Sequence, residues 1–191
     1  VAGQIAAIDT AGRTVYLYAH GYDKKINPYY YQVVKAHIDR EGVSLLSPED
    51  GQHKATFSES RKYFIDTYSR VDLEPKFVLK DNKGRVIIPE LAKADFRRAY
   101  EMGWKAPERF AVKAADGLTD LHGIMWKPAD FDPNKKYPII SSVYPGPFFE
   151  YVSTGFSLDD SYNMKLAQLG FIVVSMGHRG GSPMRGKFYH R

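Results

Sequence analysis

Short runs of alternating apolar and polar residues, each closed by a polar or glycine-containing turn, fill the first ninety residues of the chain. The runs are rich in Tyr, Phe, Val and Ile, which favour β-strands. The turns between them read DTAGR, SPEDGQ, SESRK and DNKGR, and these compositions are typical of reversals between neighbouring strands. The pattern therefore predicts a series of antiparallel strands.

These predicted strands repeat along the chain. The stretch IDTAGRTVYLY, which starts at Ile8, aligns with FSESRKYFIDT, which starts at Phe57, when one gap is allowed. In the same way YQVVKAHID from Tyr31 aligns with KFVLKDNKG from Lys76. A repeat of about 45 to 49 residues with roughly four strands matches one blade of a β-propeller better than a β-sandwich. We expect residues 1–92 to be C-terminal propeller blades.

The pattern becomes helical in the segment ADFRRAYEMG. Three apolar side chains recur there at helical spacing, namely Phe96, Ala99 and Tyr100. Asp95 is the predicted cap of this helix and Gly103 its predicted end. Residues 93–106 are therefore predicted to be a connector helix and linker between two domains.

Residues 107–191 carry the pattern of a mixed sheet. FAVKAADGLTDLHGIMWKP predicts a hairpin around the turn Asp116-Gly117. PIISSVY and GFIVVSM are nearly continuous in apolar and small residues, as in strands covered on both faces. A helix is predicted between them, from Asp159 or Asp160 to Gly170, with one apolar stripe made of Leu158, Tyr162, Leu166 and Leu169. A strand, helix and strand of this length predict a right-handed parallel crossover.

Tyr144 ends the predicted strand PIISSVY and is followed by Pro145. A residue before proline favours extended geometry, and proline cannot donate a strand hydrogen bond. The tyrosine is thus expected at a defined strand terminus, and sites in open α/β sheets lie at the carboxyl ends of strands. Its hydroxyl can donate a hydrogen bond to a developing oxyanion. A tyrosine that only packs under a loop remains the alternative.

Other motifs point away from several classes of site. No Gly-x-Ser-x-Gly occurs, the nearest stretch being GGSPM from Gly180, and no dinucleotide or P-loop fingerprint is present. The chain has no Cys, its His residues are scattered, and we expect neither a metal nor a cofactor.

The 27 Lys and Arg residues are interspersed with 22 Asp and Glu, so the net charge of +5 predicts a mixed surface and no nucleic-acid partner. The apolar runs are too short to span a membrane.

Three further features have a structural and a functional interpretation. The basic loop GHRGGSPMRGKFYHR is either a phosphate site or, as we favour, a crossing loop at the carboxyl end of a strand. NPYYYQ, from Asn27 to Gln32, is either an aromatic ligand shelf or, as we favour, packing between blades. His20 and His122, each beside a glycine, are predicted to be satisfied turn residues.

The landmarks NPYYYQVVKA, LLSPEDGQHKATFS, KYFIDTYSRVD, DGLTDLHGIMWKPADFDPNKKYPII, VYPGP and LGFIVVSMGHRGG occur in this order. With these landmarks in this order, the chain resembles the bacterial form of the dipeptidyl peptidase IV branch of the prolyl oligopeptidase family of serine peptidases. The resemblance covers essentially the whole chain. The resemblance implies a fold of all-β plus α/β type. Residues 1–92 would be the last propeller blades, and residues 107–191 the N-terminal part of an α/β-hydrolase domain, both incomplete.

The resemblance also carries expectations about chemistry. It implies peptide substrates, hydrolysed near their N-terminus by acyl transfer, and it assigns to Tyr144 the side-chain donor of the oxyanion hole. It favours a periplasmic or extracytoplasmic location and is compatible with a homodimeric parent. One departure is clear, because relatives usually read Asp-Gly-Arg-Gly where this chain reads Gly177-His178-Arg179-Gly180. Any polar contact of that Asp is lost or replaced here.

The first residue is Val and the last residues, KFYHR, form no tapering polar tail, so we expect an internal fragment of a longer enzyme. Its nucleophile, Asp and His would then lie beyond residue 191, and the fragment alone would be inactive. Two alternatives stay open at this stage. One is another acyl hydrolase of the same plan, such as an acylaminoacyl peptidase or an esterase. The other is a non-catalytic β-rich binding module.

Overall fold

A computed structural model describes residues 1–144, 146, 150, 152–159 and 161–190. Pro145 and Asp160, which figured in the sequence predictions, lie outside these residues. The chain divides into two compact units, Val1–Ala94 and Asp95–Arg191.

The first unit consists of two four-stranded antiparallel sheets, and in each the strands follow one another in chain order. The first sheet contains β1 (Ala2–Asp9), β2 (Thr14–His20), β3 (Tyr31–His37) and β4 (Val43–Leu45). The second sheet contains β5 (Gln52–Phe57), β6 (Tyr63–Arg70), β7 (Leu73–Asp81) and β8 (Val86–Lys93). All four predicted turn clusters lie between consecutive strands. The repeat predicted from the sequence is confirmed, and the two sheets fit two blades of a propeller.

A shared apolar core holds these two sheets together. Tyr16, Val33, Leu46 and Phe64 are each at most 1% exposed and form one cluster. The Phe57 ring lies between two of them, with ring centroids 4.4 Å from Tyr16 and 4.9 Å from Phe64. The cluster contains side chains from both sheets. Burial of this apolar surface therefore stabilises the packing of one sheet against the other.

The tyrosines of NPYYYQ are packed within the first unit. Tyr29 and Tyr30 are buried, at 8% and 1% exposure. The Tyr31 ring lies 5.2 Å from Tyr18 and 4.4 Å from His20, measured between centroids. These tyrosines therefore pack within the first unit and form no exposed ligand shelf, whereas packing between blades stays a prediction.

The second unit is built on a four-stranded mixed sheet with strand order β11, β12, β10, β9. Its strands are β9 (Glu108–Lys113), β10 (Asp120–Trp126), β11 (Ile139–Ser141) and β12 (Ile172–Met176), and its helices are α1 (Arg97–Glu101), α2 (Ser161–Gln168) and α3 (Lys187–His190). β9 and β10 form the predicted antiparallel hairpin, with Gly117 at φ +70° in its turn. β11 and β12 pair in parallel, as the crossover pattern predicted.

The strand that precedes Tyr144 is shorter than the sequence predicted. β11 ends at Ser141, although the Ser142 N–H still donates to the Val174 carbonyl at 2.8 Å. Ile139 is 69% exposed, so the prediction that this strand is covered on both faces is wrong for the part of the chain described. Ile139 and Ser141 are exposed while Ile140 between them is half-buried, so one face of this strand lies open.

Helix α2 turns a different face inward from the one predicted. Tyr162 and Leu169, two members of the predicted stripe, are 72% and 75% exposed. The buried positions are Asn163 and Ala167, at 4% and 1% exposure, which lie four residues apart on one face. The helix contacts β12 and β10, so this is the face that lies toward the sheet. Counting large apolar residues therefore selected the wrong face.

Helix α1 forms inside the predicted connector. The predicted cap, Asp95, lies one residue before the actual N-cap, Phe96, and its Oδ1 accepts a hydrogen bond from the Arg97 N–H at 3.1 Å. The helix ends before Gly103, which has φ +87°, as predicted. The Trp104 indole N–H donates to the Leu158 carbonyl at 3.1 Å, so this segment packs within the second unit.

Candidate functional site

The carboxyl edge of the second sheet is where the parallel strands β11 and β12 end and β10 begins. Tyr144 follows β11 by three residues, and Gly177 follows β12 directly. Because the two strands are paired, with Ser141 opposite Val174, their following segments leave the sheet side by side. Tyr144 is 59% exposed. The one site residue predicted from the sequence thus lies at the edge where sites in such sheets form.

A carboxylate from Glu150 is built into the loop that follows β12. The His178 N–H and the Tyr189 hydroxyl both donate to Glu150 Oε1, each at 2.6 Å. The Gly180 N–H donates to the Tyr189 carbonyl at 2.8 Å, which ties α3 back onto the loop. Sequence analysis did not select Glu150, because its partners lie 28 and 39 residues away. It brings a carboxylate to the loop in which this chain lacks the Asp of the Asp-Gly-Arg-Gly pattern.

Two basic side chains of the same loop, Arg179 and Arg185, are engaged within the protein. Arg179 forms an ion pair with Asp116 at 2.7 Å. The Arg185 guanidinium donates to the Asp120 carbonyl at 2.7 Å and lies 4.0 Å above the Tyr189 ring. These contacts join the loop to the hairpin of β9 and β10. They favour the crossing-loop interpretation over a phosphate site.

Asp116 organises the turn of that hairpin. Its carboxylate accepts hydrogen bonds from the Thr119 hydroxyl at 2.6 Å, the Thr119 N–H at 2.8 Å and the Leu118 N–H at 2.9 Å. These hydrogen bonds, with a further contribution from Arg179, lower the pKa of Asp116 from 3.8 to about 2. The Asp116 carboxylate of the folded turn is therefore ionised at neutral pH.

We expect Asp116 to stabilise the turn fully above pH 3.8 and to lose this contribution as the pH falls through about 2. The sign follows because the folded state holds the carboxylate more acidic than the unfolded state does. A carbon-13 NMR titration of Asp-labelled protein, with Asp116→Asn as the assignment control, measures the midpoint. A midpoint at 3.8 or above would contradict the arrangement.

The two histidines beside glycines are not turn residues, so that prediction is wrong. His20 ends β2 and His122 lies within β10. His20 is 3% exposed, and its Nδ1 has no hydrogen-bond partner among the described residues. Burial lowers the pKa of both imidazoles, and the charge of Arg185 lowers that of His122 further. A glycine marks a turn poorly, since β2 continues up to the residue before Gly21 and β10 runs through Gly123.

Ser182, the serine of the stretch nearest to a nucleophile motif, has a structural role. It is 5% exposed, and its Oγ accepts a hydrogen bond from the Met184 N–H at 3.3 Å. This bond caps the 3₁₀ turn Pro183–Arg185. The serine therefore satisfies a backbone donor in the folded loop.

A buried polar cluster in the first unit has the composition of a metal site. The ligand atoms of Glu49, His53 and Asp66 lie within 4.8 Å of one another. Lys80 lies between the two acids, since its Nζ donates to Glu49 Oε2 at 2.7 Å and to Asp66 Oδ2 at 2.8 Å. His53 Nδ1 lies 2.8 Å from Asp66 Oδ1. The Lys80 ammonium group thus supplies a positive charge that both acids share.

This cluster, which we call the Lys80 cluster (Glu49, His53, Asp66, Lys80), was missed by sequence analysis. Lys80, Asp66 and His53 are each at most 1% exposed. The four residues come from β5, β6, β7 and the segment before β5, up to 31 positions apart. A search for ligands at short spacing does not detect such a set.

No family model matches the chain. Sequence relatives are nevertheless found among curated proteins. Dipeptidyl peptidase 8 of Homo sapiens is 37% identical over 75 residues, which are 39% of this chain and 8% of the relative. The protein named probable dipeptidyl-aminopeptidase B of Botryotinia fuckeliana is 29% identical over 181 residues, which are 92% of this chain and 19% of the relative.

Solved structures that resemble this chain are also dipeptidyl peptidases by name. A dipeptidyl aminopeptidase IV-like protein from Bacteroides ovatus matches 99% of this chain with a TM-score of 0.75 and 28% identity. Dipeptidyl peptidase 4 of Porphyromonas gingivalis matches 99% with a TM-score of 0.72 and 24% identity, a likeness of fold. The chain spans 26% of each of these proteins. The resemblance read from the sequence landmarks is confirmed: the chain is a homologue of dipeptidyl peptidases.

Proposed function

We propose that this chain is part of a serine exopeptidase of the dipeptidyl peptidase IV type, which releases dipeptides from the N-terminus of peptides by acyl transfer. The observation that supports this best is the likeness of nearly the whole chain to a dipeptidyl aminopeptidase IV-like structure, at a TM-score of 0.75. In this proposal residues 1–92 are the last propeller blades, 93–106 the connector, and 107–191 the first part of an α/β-hydrolase domain.

Tyr144 has the role of oxyanion-hole donor in this proposal. When a serine attacks the scissile carbonyl, the carbonyl oxygen gains negative charge, and a donor already aimed at it lowers the barrier. Tyr144 supports this role because its hydroxyl can donate, it follows a parallel strand at the carboxyl edge, and it is 59% exposed to an incoming ligand.

The triad itself is proposed to come from other parts of the protein. The 191 residues contain no Gly-x-Ser-x-Gly, and the nearest serine, Ser182, is buried as a cap. This chain would then supply one half of the oxyanion hole together with the frame that holds it. On its own it would not turn over substrate.

The surroundings of Tyr144 are suited to such a frame. The loop after β12 is joined to the hairpin of β9 and β10 through Arg179 and Arg185. Donors that are held in place before the reaction stabilise charge without a cost of reorganisation. In this proposal the ion pair of Arg179 and the hydrogen bond of Arg185 hold the loop beside Tyr144 in place before the reaction.

The complete protein tests the proposal in a chromogenic assay. We expect it to release dipeptides from Gly-Pro and Ala-Ala anilides, and to fail on the same substrates with an acetylated amino terminus. Faster cleavage of acylated amino acids or of simple esters would instead identify another acyl hydrolase of the same plan. Absence of turnover on all of them would identify a binding module.

Among the described residues, no helix combines the length and apolar character needed to cross a membrane. A homodimeric assembly remains a proposal from the resemblance. Size-exclusion chromatography of the complete protein with light scattering measures it.

A further inference from the structure

We propose that Glu150 is a positioning residue, which holds the connection carrying Tyr144 against the loop that follows β12. The kinetic part of this inference rests on the proposed function. The structural part, an anchor between two loops, stands on contacts alone.

The contacts of Glu150 are of the strong type. One oxygen, Oε1, accepts from the His178 backbone N–H and from the Tyr189 hydroxyl, each at 2.6 Å. Hydrogen bonds to a carboxylate are shorter and about twice as strong as those between neutral groups. Tyr189 is 6% exposed, so few water molecules can replace Glu150 as the hydrogen-bond partner of its hydroxyl.

The loop is also shaped to receive the Glu150 side chain. A Cβ placed on Gly181 would lie 2.5 Å from Glu150 Cγ and 2.7 Å from His178 Cε1. Real Cβ atoms do not approach other atoms so closely, and any side chain at residue 181 would push Glu150 or His178 aside. A glycine at this position therefore provides a second, independent indication that the loop accommodates Glu150.

Glu150 fixes the second end of a connection whose first end is already fixed. At the first end, the Ser142 N–H donates to the Val174 carbonyl at 2.8 Å. At the second end, Glu150 binds the loop after β12 through His178. Tyr144 belongs to this connection, two residues after Ser142 and six before Glu150. Release of Glu150 would remove the hold at the far end of this connection.

The loop that receives Glu150 is itself firmly attached. The Gly180 N–H donates to the Tyr189 carbonyl at 2.8 Å, and Arg185 joins the same region to β10 through the Asp120 carbonyl at 2.7 Å. Glu150 therefore ties the far end of the connection to a loop that is itself joined to the sheet. It acts on the reaction through Tyr144 and is not itself a catalytic group.

Kinetics of the complete protein measure this effect on a dipeptidyl substrate. We expect Glu150→Ala to lower kcat about tenfold to hundredfold, the size of effect caused by a small misplacement of a catalytic group, with KM little changed. Glu150→Gln should restore most of the rate, since its Oε1 still accepts both hydrogen bonds. Glu108→Gln, at an exposed ion pair with Lys127, is the matched control and should leave kcat unchanged.

A double-variant cycle separates positioning from a general loss of structure. If Glu150 acts through Tyr144, then Glu150→Ala should cost little more once Tyr144→Phe is present. Losses that multiply in the double variant would overturn the inference. Should Glu150→Ala fail to fold, Tyr189→Phe and Gly181→Ala disturb the same contact and take its place.

Hydrogen exchange provides a readout that needs no enzymatic activity. Peptides from 139–150 and from 177–190 should exchange faster in Glu150→Ala than in the wild type, and those from 52–81 should not change. Equal exchange in both loops would overturn the anchor, even in an active dipeptidyl peptidase. Faster exchange in a protein that releases no dipeptides would establish the anchor and reject the proposed function.

Discussion

Tyr144→Phe in the complete protein is expected to lower kcat on a dipeptidyl substrate by about a hundredfold or more, with KM nearly unchanged. The change removes one hydroxyl and keeps the ring, so folding should be preserved. A hydroxyl aimed at the oxyanion interacts more strongly with the transition state than with the substrate, and its loss therefore appears in kcat. Removal of one oxyanion-hole donor typically costs about 2.7 to 4 kcal/mol of transition-state stabilisation.

The matched control is Tyr162→Phe on helix α2, where the side chain is 72% exposed. It removes the same hydroxyl at another position of the same unit and should leave turnover as it is. A folded Tyr144→Phe protein with wild-type kcat would show that Tyr144 only packs, and the oxyanion assignment would be abandoned. A rise in KM at constant kcat would instead indicate a role in uniform substrate binding.

The Lys80 cluster leads to the second large effect, on stability. Lys80→Met is expected to destabilise the first unit by about 3 to 5 kcal/mol, the cost of breaking a buried ion pair from one side. The Lys80 ammonium lies 2.8 Å from Asp66 Oδ2, and both side chains are fully buried. Without the ammonium, the Asp66 carboxylate remains in the interior with His53 as its neighbour and without its cation.

Thermal unfolding and hydrogen exchange of residues 52–81 measure this loss. Because a multidomain protein does not unfold in two states, exchange within β5 to β7 reports the local free energy better than a single Tm. Lys54→Met, which removes an exposed lysine of β5, is the control and should change little. Replacing both partners, as in Lys80→Met with Asp66→Leu, should recover much of the stability. A single Lys80→Met variant as stable as the wild type would contradict this account.

Local patterns were sufficient for the elements that local chemistry decides. Glycine and Asp in DNKGR and in Asp116-Gly117 favour reversals wherever they occur, and the structure has turns at both. The strand pattern repeats because both sheets are built from the same four-strand unit, so the two sheets were predictable from spacing. The parallel pairing of β11 and β12 followed from the helix between them.

The errors occurred where packing partners decide. The face of α2 that lies inward is set by the sheet it packs on, and that face carries Asn163 and Ala167, whereas Tyr162 lies outward. The length of β11 depends on its neighbours in the sheet, which its own residues do not specify. His20 and His122 continue strands because pairing partners extend to them.

By its sequence alone this protein specifies where strands begin and reverse, that four-strand units repeat, that a parallel crossover follows a hairpin, and that its relatives are dipeptidyl peptidases. Tertiary structure alone brings Lys80 between Glu49 and Asp66, and brings Glu150 onto the loop of His178. The physical reason is the range of the interactions. Turns and strand propensity act between residues a few positions apart, whereas buried charges and loop anchors join residues 14 to 39 positions apart, which only the folded chain brings into contact.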